Sequence, residues 1–280
     1  MPNALLDRFP PSIYRFFMSI IPPGLSRLLQ FYLSGPLPCP YLPDRVERKL
    51  FTRLTGEAAR DAEINATLTR AGFRRSHDIV YRPACPNCTA CVPVRIPVRA
   101  FKPTRSLKRI ASVNRDLELE IVGAEVTEEQ YALFMAYQTA RHPDSDMARM
   151  SRLEFISMLR EGEADTHVYQ LRRAGDGLVG GIITDHVNDG LSAVYSFFDP
   201  DEPRRSLGVQ LILTLINEAQ RRDLSYVYLG YWISASRKMA YKARFRPLQA
   251  LGPQGWDWIE DEPLAEEFEE PEPHFTKTGT

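Results

Sequence analysis

Residues 167–198 read HVYQLRRAGDGLVGGIITDHVNDGLSAVYSFF, and residues 199–232 continue DPDEPRRSLGVQLILTLINEAQRRDLSYVYLGYW. The first stretch holds three β-type runs, 167–173, 178–186 and 191–198. They are separated by the turn formers of 174–177 and by Asn188-Asp189-Gly190. The second opens on a polar loop and then places Val209, Ile212, Leu213 and Ile216 at helical spacing, which predicts a helix over about 207–222. Residues 225–232 read as one more strand.

Working outward, residues 116–122 alternate as a strand. Thr127 with Gln130, and Ser151 with Glu154, have the spacing of capping boxes that open helices to about 141 and 160. Downstream, 234–243 predicts a short helix and 245–251 a last strand. The order strand, two helices, three strands, helix, strand, helix, strand predicts an α+β fold of the acetyltransferase-like (GNAT) kind, a mixed sheet flanked by helices. In that fold the loop after the fourth strand holds a pyrophosphate on backbone N–H groups. Here it ends Arg204-Arg205-Ser206-Leu207-Gly208, with a single glycine. An acyl carrier other than coenzyme A would account for that departure.

Upstream, 38–98 is irregular and rich in proline and cysteine, with a helix expected over about 60–71 ending at Gly72. The expected division is 1–98 as an N-terminal arm and cysteine-containing module, 99–258 as the transfer domain, and 259–280 as an acidic, disordered tail. The four cysteines of the 280 residues, Cys39, Cys85, Cys88 and Cys91, are too few and too clustered for a secreted disulfide framework and point to a reducing compartment. The apolar N-terminus is broken by Pro10, Pro11, Pro22 and Pro23. It reads as a packing arm, with a peripheral membrane contact as the alternative, and no integral membrane association is expected. Cytoplasmic residence follows.

The formal net charge is −1, yet nine carboxylates fall within 257–272. Residues 1–256 carry 34 basic and 27 acidic side chains, a body of +7 that attracts a polyanion. Its densest basic stretch holds Lys102, Arg105, Lys108, Arg109 and Arg115.

Several blocks resemble the arginyl-tRNA–protein transferase family. They are Gly72-Phe73-Arg74-Arg75-Ser76, the CxxCxxC of Cys85, Cys88 and Cys91, and Asp199-Pro200-Asp201 with Ser206-Leu207-Gly208. Tyr228-Leu229-Gly230-Tyr231-Trp232, Lys238-Met239-Ala240-Tyr241-Lys242 and Phe245-Arg246-Pro247 complete the set. Cys39-Pro40-Tyr41-Leu42-Pro43-Asp44-Arg45 resembles the bacterial aspartate/glutamate leucyltransferase branch. The resemblance implies leucyl-tRNA as donor and proteins with N-terminal Asp or Glu as acceptors, which are thereby marked for degradation. DNA is not expected as a partner. Arginyl-tRNA as donor and a CoA-dependent N-acetyltransferase stand as alternatives, and a non-catalytic metal- and RNA-binding regulator is a third class.

Aminoacyl transfer needs a neutral α-amine placed against the ester carbonyl. An α-amine titrates at about 7.7–8.0, so positioning supplies much of the rate without a tuned base. In the expected fold Tyr195 and Asp199 end one strand of the site, with Tyr228 and Tyr231 on the next. Asp199 either holds the ammonium or starts a turn. An acidic acceptor needs a fixed cation, for which Arg74, Arg75, Lys238, Lys242 and Arg246 are candidates. Lys238 and Lys242, at i and i+4, also read as one solvated helix face. For the tRNA, Lys102, Arg105, Lys108 and Arg109 offer phosphate contacts, and Arg204, Arg205, Ser206 and Gly208 flank the 3′ end. Trp232, Tyr231 and Phe198 are stacking candidates or core. The chemistry requires no cofactor. Cys39, Cys85, Cys88 and Cys91 have the count for zinc or, as the resemblance implies, an iron–sulfur cluster; free thiols or a labile disulfide are the alternatives.

Overall fold

The computed structural model describes residues 29–161, 164–175 and 177–259. The expected N-terminal arm over 1–28 and the acidic tail from 260 lie outside the described residues. The chain forms a mixed α+β structure built on an eight-stranded sheet with helices on both faces.

The N-terminal part holds strands β1 (Tyr32–Leu33), β2 (Leu37–Pro38), β3 (Val46–Glu47) and β4 (Lys49–Arg53), then helix α1 (Ala58–Arg70), and strands β5 (Arg74–Ser76) and β6 (Ile79–Pro83). Helix α1 is closed by Ala71 as its C-cap, and Gly72 follows with a φ of +81° open to glycine. Strands β1, β4, β6 and β5 make a small sheet whose core gathers Leu50, Leu54, Ile64, Leu68, Phe73 and Val80.

The next strand, β7 (Val92–Pro97), departs from expectation. It lies within the segment read as the N-terminal module, yet it is an inner strand of the large sheet, antiparallel to β12. Its buried Val94 and Ile96 explain this, because they share one face of the strand and both pack into the main core under the large sheet.

Helix α2 (Arg105–Val113) is capped by Thr104 and followed by β8 (Leu117–Val122). Helices α3 (Glu128–Arg141) and α4 (Arg152–Arg160) both start with complete capping boxes, Thr127 with Gln130 and Ser151 with Glu154, as the spacing predicts. The meander follows as β9 (Thr166–Arg173), β10 (Gly177–Val187) and β11 (Gly190–Phe198), then α5 (Leu207–Arg221) and β12 (Tyr226–Trp232). The expected helix over 234–243 is a short α6 (Arg237–Ala240) continued as a tight turn (Tyr241–Arg244). The expected last strand is shorter, β13 (Gln249–Gly252), and pairs with a further strand, β14 (Gly255–Trp258).

The sheet order is β14-β13-β7-β12-β11-β10-β9-β8. Successive side chains alternate across it. Tyr169, Ile182 and Leu191 join α2 and α5 on one face, while Val168, Ile183 and Phe197 join α3 and α4 on the other. Helix α5 is apolar nearly all round, with Leu211, Leu215 and Ala219 fully buried besides the predicted face. Among the described residues no helix is long and apolar enough to cross a membrane.

Candidate functional site

Strands β11 and β12 are parallel, and they pair only where they begin, Gly190–Ser192 against Tyr226–Tyr228. Beyond that point β11 stays with β10 as far as Phe198, and β12 stays with β7 as far as Trp232. The two strands therefore splay, and the carbonyls on their facing edges lose their sheet partners. Arg74 of β5 fills the gap. Its Nη1 donates to the Leu229 carbonyl at 3.0 Å, and its Nη2 donates to those of Ala193 and Val194 at 2.8 and 2.7 Å. Those carbonyls would otherwise be buried without donors, which the sheet cannot tolerate. Arg74, expected at the acceptor, is thus a clip between strands.

The other acceptor candidates divide. Arg75 forms a two-pronged ion pair with Asp185, its Nε and Nη2 donating at 2.8 and 2.7 Å, and both side chains are about 1% exposed. Thr166 and Asn65 donate to the same carboxylate. Arg75 therefore joins the small sheet to the large one and is sealed from solvent, contrary to the expected acceptor role. Lys242 is also buried, donating from Nζ to the Tyr231 carbonyl at 2.6 Å, whereas Lys238 is exposed. The pair does not share a solvated face, because the helix tightens between them. Burial, reinforced by the charge of Arg74, pulls the Lys242 ammonium well below the usual lysine range. Arg246 donates to the carbonyls of Ala243 and Ile259.

Of the tyrosines, Tyr231 points away from the gap into the N-terminal part, its hydroxyl within 3.1 and 3.0 Å of the carbonyls of Gly72 and Tyr81. Tyr228 lies at the closed end, donating to Asp189 at 3.0 Å in a box with Arg95, Tyr226 and Trp256. Burial raises both phenols. Tyr195 stands in the open stretch and accepts from Gln138 Nε2 at 2.6 Å, and burial raises it too. Asp199 accepts the Asp201 N–H at 2.9 Å, so its carboxylate shapes a turn.

At the mouth, Ser206 takes a left-handed conformation at φ 49° before α5, and no side chain caps that helix. A Cβ at Gly208 would come within 3.0 Å of the Phe198 ring. Arg204 is exposed, while Arg205 is occupied by Asp116 at 2.8 and 2.9 Å and by Glu202. Lys102, Arg105, Lys108 and Arg109 are all exposed around α2, and among the described residues none has an ion-pair partner. Trp232 packs against the main core, and its buried indole N–H has no acceptor among the described residues.

Side chains from the last turn of α3, which were not singled out from the sequence, complete the mouth. Tyr137 packs on Phe198 at 4.7 Å between ring centroids and edge-on to His142 at 5.8 Å, and the Arg141 guanidinium lies 5.8 Å from the Phe198 centroid. The signal was available, since 134, 137, 138 and 141 share one face of the helix that Thr127 caps.

The cysteines gather at one corner, all half-buried and free. Burial and the neighbouring cysteines push the Cys91 thiol up to about 12, and Cys85 donates to the Arg48 carbonyl. A four-thiol set suits zinc or an iron–sulfur cluster. Among the described residues, however, no three of these sulfurs lie within 4.8 Å of one another, so the set does not close into a coordination shell.

Residues 37–109 match the family model described as arginine-tRNA-protein transferase, N terminus, and residues 129–252 match that described as the C terminus. A relative from Rhodospirillum rubrum named aspartate/glutamate leucyltransferase is 50% identical over 227 residues, 81% of this chain and 92% of that protein. One of the same name from Parvibaculum lavamentivorans is 48% identical over 231 residues, covering 82% and 95%. Among solved structures, the C-terminal domain of a putative lysylphosphatidylglycerol synthetase from Agrobacterium fabrum is similar at TM-score 0.45 and 15% identity, covering 69% of this chain and 62% of that one. A likeness of that size says nothing of activity. With both family models matched in order and relatives this similar over most of its length, the chain belongs to the arginine-tRNA-protein transferase family.

Proposed function

We propose that this transferase moves leucine from leucyl-tRNA onto the α-amine of proteins that begin with Asp or Glu. The observation that carries the reading is the identity of about half of the aligned positions, over most of both chains, with relatives named aspartate/glutamate leucyltransferase. The splay of β11 from β12 beside an uncapped helix N-terminus supports an acetyltransferase-like sheet, with the tRNA 3′ end at residues 204–208. The exposed cations of α2 suit the rest of the tRNA, and the protein acts in the cytoplasm.

The chemistry is positional. An α-amine is substantially neutral near pH 7.7–8.0, so the site must hold it against the ester and keep water out. Asp199 uses one carboxylate oxygen in its turn, and Tyr195 stands on the open stretch of β11, held by Gln138 of α3. On this reading the transfer itself requires no cofactor. The four cysteines would hold zinc or an iron–sulfur cluster by drawing their sulfurs together, as a stabilising staple of the N-terminal part.

The test is transfer of label from leucyl-tRNA or arginyl-tRNA to peptides differing only in their first residue. Label from leucyl-tRNA on Asp and Glu peptides, and not on Asn or Lys peptides, supports the reading. Label from arginyl-tRNA alone keeps the family and overturns the donor.

A further inference from the structure

The mouth of the splay holds cations without counter-ions. Arg141 and Lys238 both act on His142, whose imidazole is held below its usual range by burial and by those two charges. Among the described residues no carboxylate pairs with either cation. Converged like charges raise the energy of the free protein and are relieved by an anion.

The neighbours narrow the kind of anion. Gln138, one turn back on the same face of α3, is fully buried, and its Oε1 has no donor among the described residues. Residues three and four apart on a helix stand roughly 5–6 Å from one another. An orphan acceptor therefore sits beside orphan cations. A polynucleotide phosphate would satisfy the cations and leave Gln138 bare. An N-terminal aspartate or glutamate brings both a carboxylate and, a few bonds away, the N–H donors of its α-amine. The depth agrees, since His142 is half-buried and Arg141 is backed by Phe198, whereas the open cations of α2 face the solvent that a tRNA backbone tracks.

We infer that Arg141, His142 and Lys238 form the subsite for the side-chain carboxylate of the acceptor's first residue, with Gln138 Oε1 receiving its α-amine. This rests on the acceptor reading above and assigns the selectivity for acidic N-termini to α3 and α6. Arg74, Arg75 and Lys242 then serve the fold, and the specificity for Asp and Glu over Asn and Gln comes from charge that only an anion can relieve.

Two measurements on the full chain test it. In the first, histidine-labelled protein free of tRNA is titrated by NMR with an Asp peptide and with its Asn counterpart. The Asp peptide should raise the His142 midpoint by about one unit, and the Asn peptide should not. Equal effects of the two peptides overturn the subsite, whether or not the protein transfers leucine. In the second, Arg141→Gln and the exposed Lys238→Gln should each raise KM for the Asp peptide at least about tenfold and leave KM for leucyl-tRNA unchanged. A rise in KM for leucyl-tRNA alone would assign the cluster to RNA and overturn the proposal. A wild type that labels neither acidic peptide sinks the acceptor reading itself, and the NMR titration then still decides whether the cluster takes a carboxylate.

Discussion

Gly230 has no side chain because Arg74 occupies the space that one would take. A Cβ at Gly230, where φ is +70°, would fall on the Arg74 guanidinium. The same guanidinium bridges Leu229 on β12 to Ala193 and Val194 on β11. The glycine of the Tyr228-Leu229-Gly230-Tyr231-Trp232 block and the first arginine of Arg74-Arg75-Ser76 are one device, which holds the splay open at a fixed width.

Gly230→Ala should therefore destabilise the protein twice over. The left-handed backbone costs about 1–2 kcal/mol for a residue with a Cβ. Displacing Arg74 leaves buried carbonyls bare at about 1–3 kcal/mol. In an Arg74→Ala background the second cost is already spent, so a denaturation double-mutant cycle should show a coupling of about 0.5–3 kcal/mol. Additive effects would refute the link.

The Arg75–Asp185 pair predicts a large loss on truncation. Arg75→Ala leaves a buried carboxylate uncompensated, at about 3–5 kcal/mol. Burial opposes ionisation of Asp185, but Arg75, Thr166 and Asn65 overcome it and hold its pKa below the usual carboxylate range. A depressed folded pKa means that the unfolded chain binds the proton more readily. The contribution is thus complete above about pH 4 and is lost as pH falls through the folded value. Acid unfolding of Asp185→Asn should lack that component.

Lys242 predicts the opposite use of a charge. Its folded pKa lies well below that of a free lysine, so the unfolded state again binds more protons, here across the alkaline range. Stability should rise with pH up to about 10.4 and flatten beyond. Lys242→Met should remove that slope, read as the difference between the two proteins' melting temperatures from neutral pH upward. An unchanged slope would mean that the amine is charged in place.

Neutralising Lys102, Arg105, Lys108 and Arg109 together should weaken leucyl-tRNA binding and flatten its dependence on salt by about 0.7–0.9 in log–log slope for each phosphate no longer neutralised. KM for the peptide should not move. Filter binding across a salt series reads the first quantity and steady-state transfer the second.

With Cys91 pushed up to about 12, its thiol is protonated at pH 8. In metal-free protein it should alkylate far more slowly than in the unfolded chain. Metal analysis of the purified protein reads the other state. Zinc or iron in stoichiometric amount, lost in Cys91→Ser, is the expected outcome for a structural site; metal absent from protein purified anaerobically in its presence would dismiss that site.

The sequence by itself determined the meander, its flanking helices and the family. The two capping boxes, the meander over 167–198 and the helix after Ser206 are local matters of hydrogen-bond spacing and apolar period, and they appear where those patterns put them. The motif blocks that carry the family resemblance are strings of adjacent residues, so they too are legible in one dimension. Tertiary structure alone decided what each charged side chain does. Arg74, Arg75, Lys238 and Lys242 look equally free in the sequence, yet one clips two strands, one is sealed against Asp185, one is exposed and one is buried under Tyr231. Their fates are set by partners 110 to 155 residues away, or by a helix that tightens over four residues. Strand β7 joined the larger sheet for the same reason, because burial is a property of what surrounds a segment. A charge's role follows from the partner and the dielectric it meets, and neither is written in its neighbours along the chain.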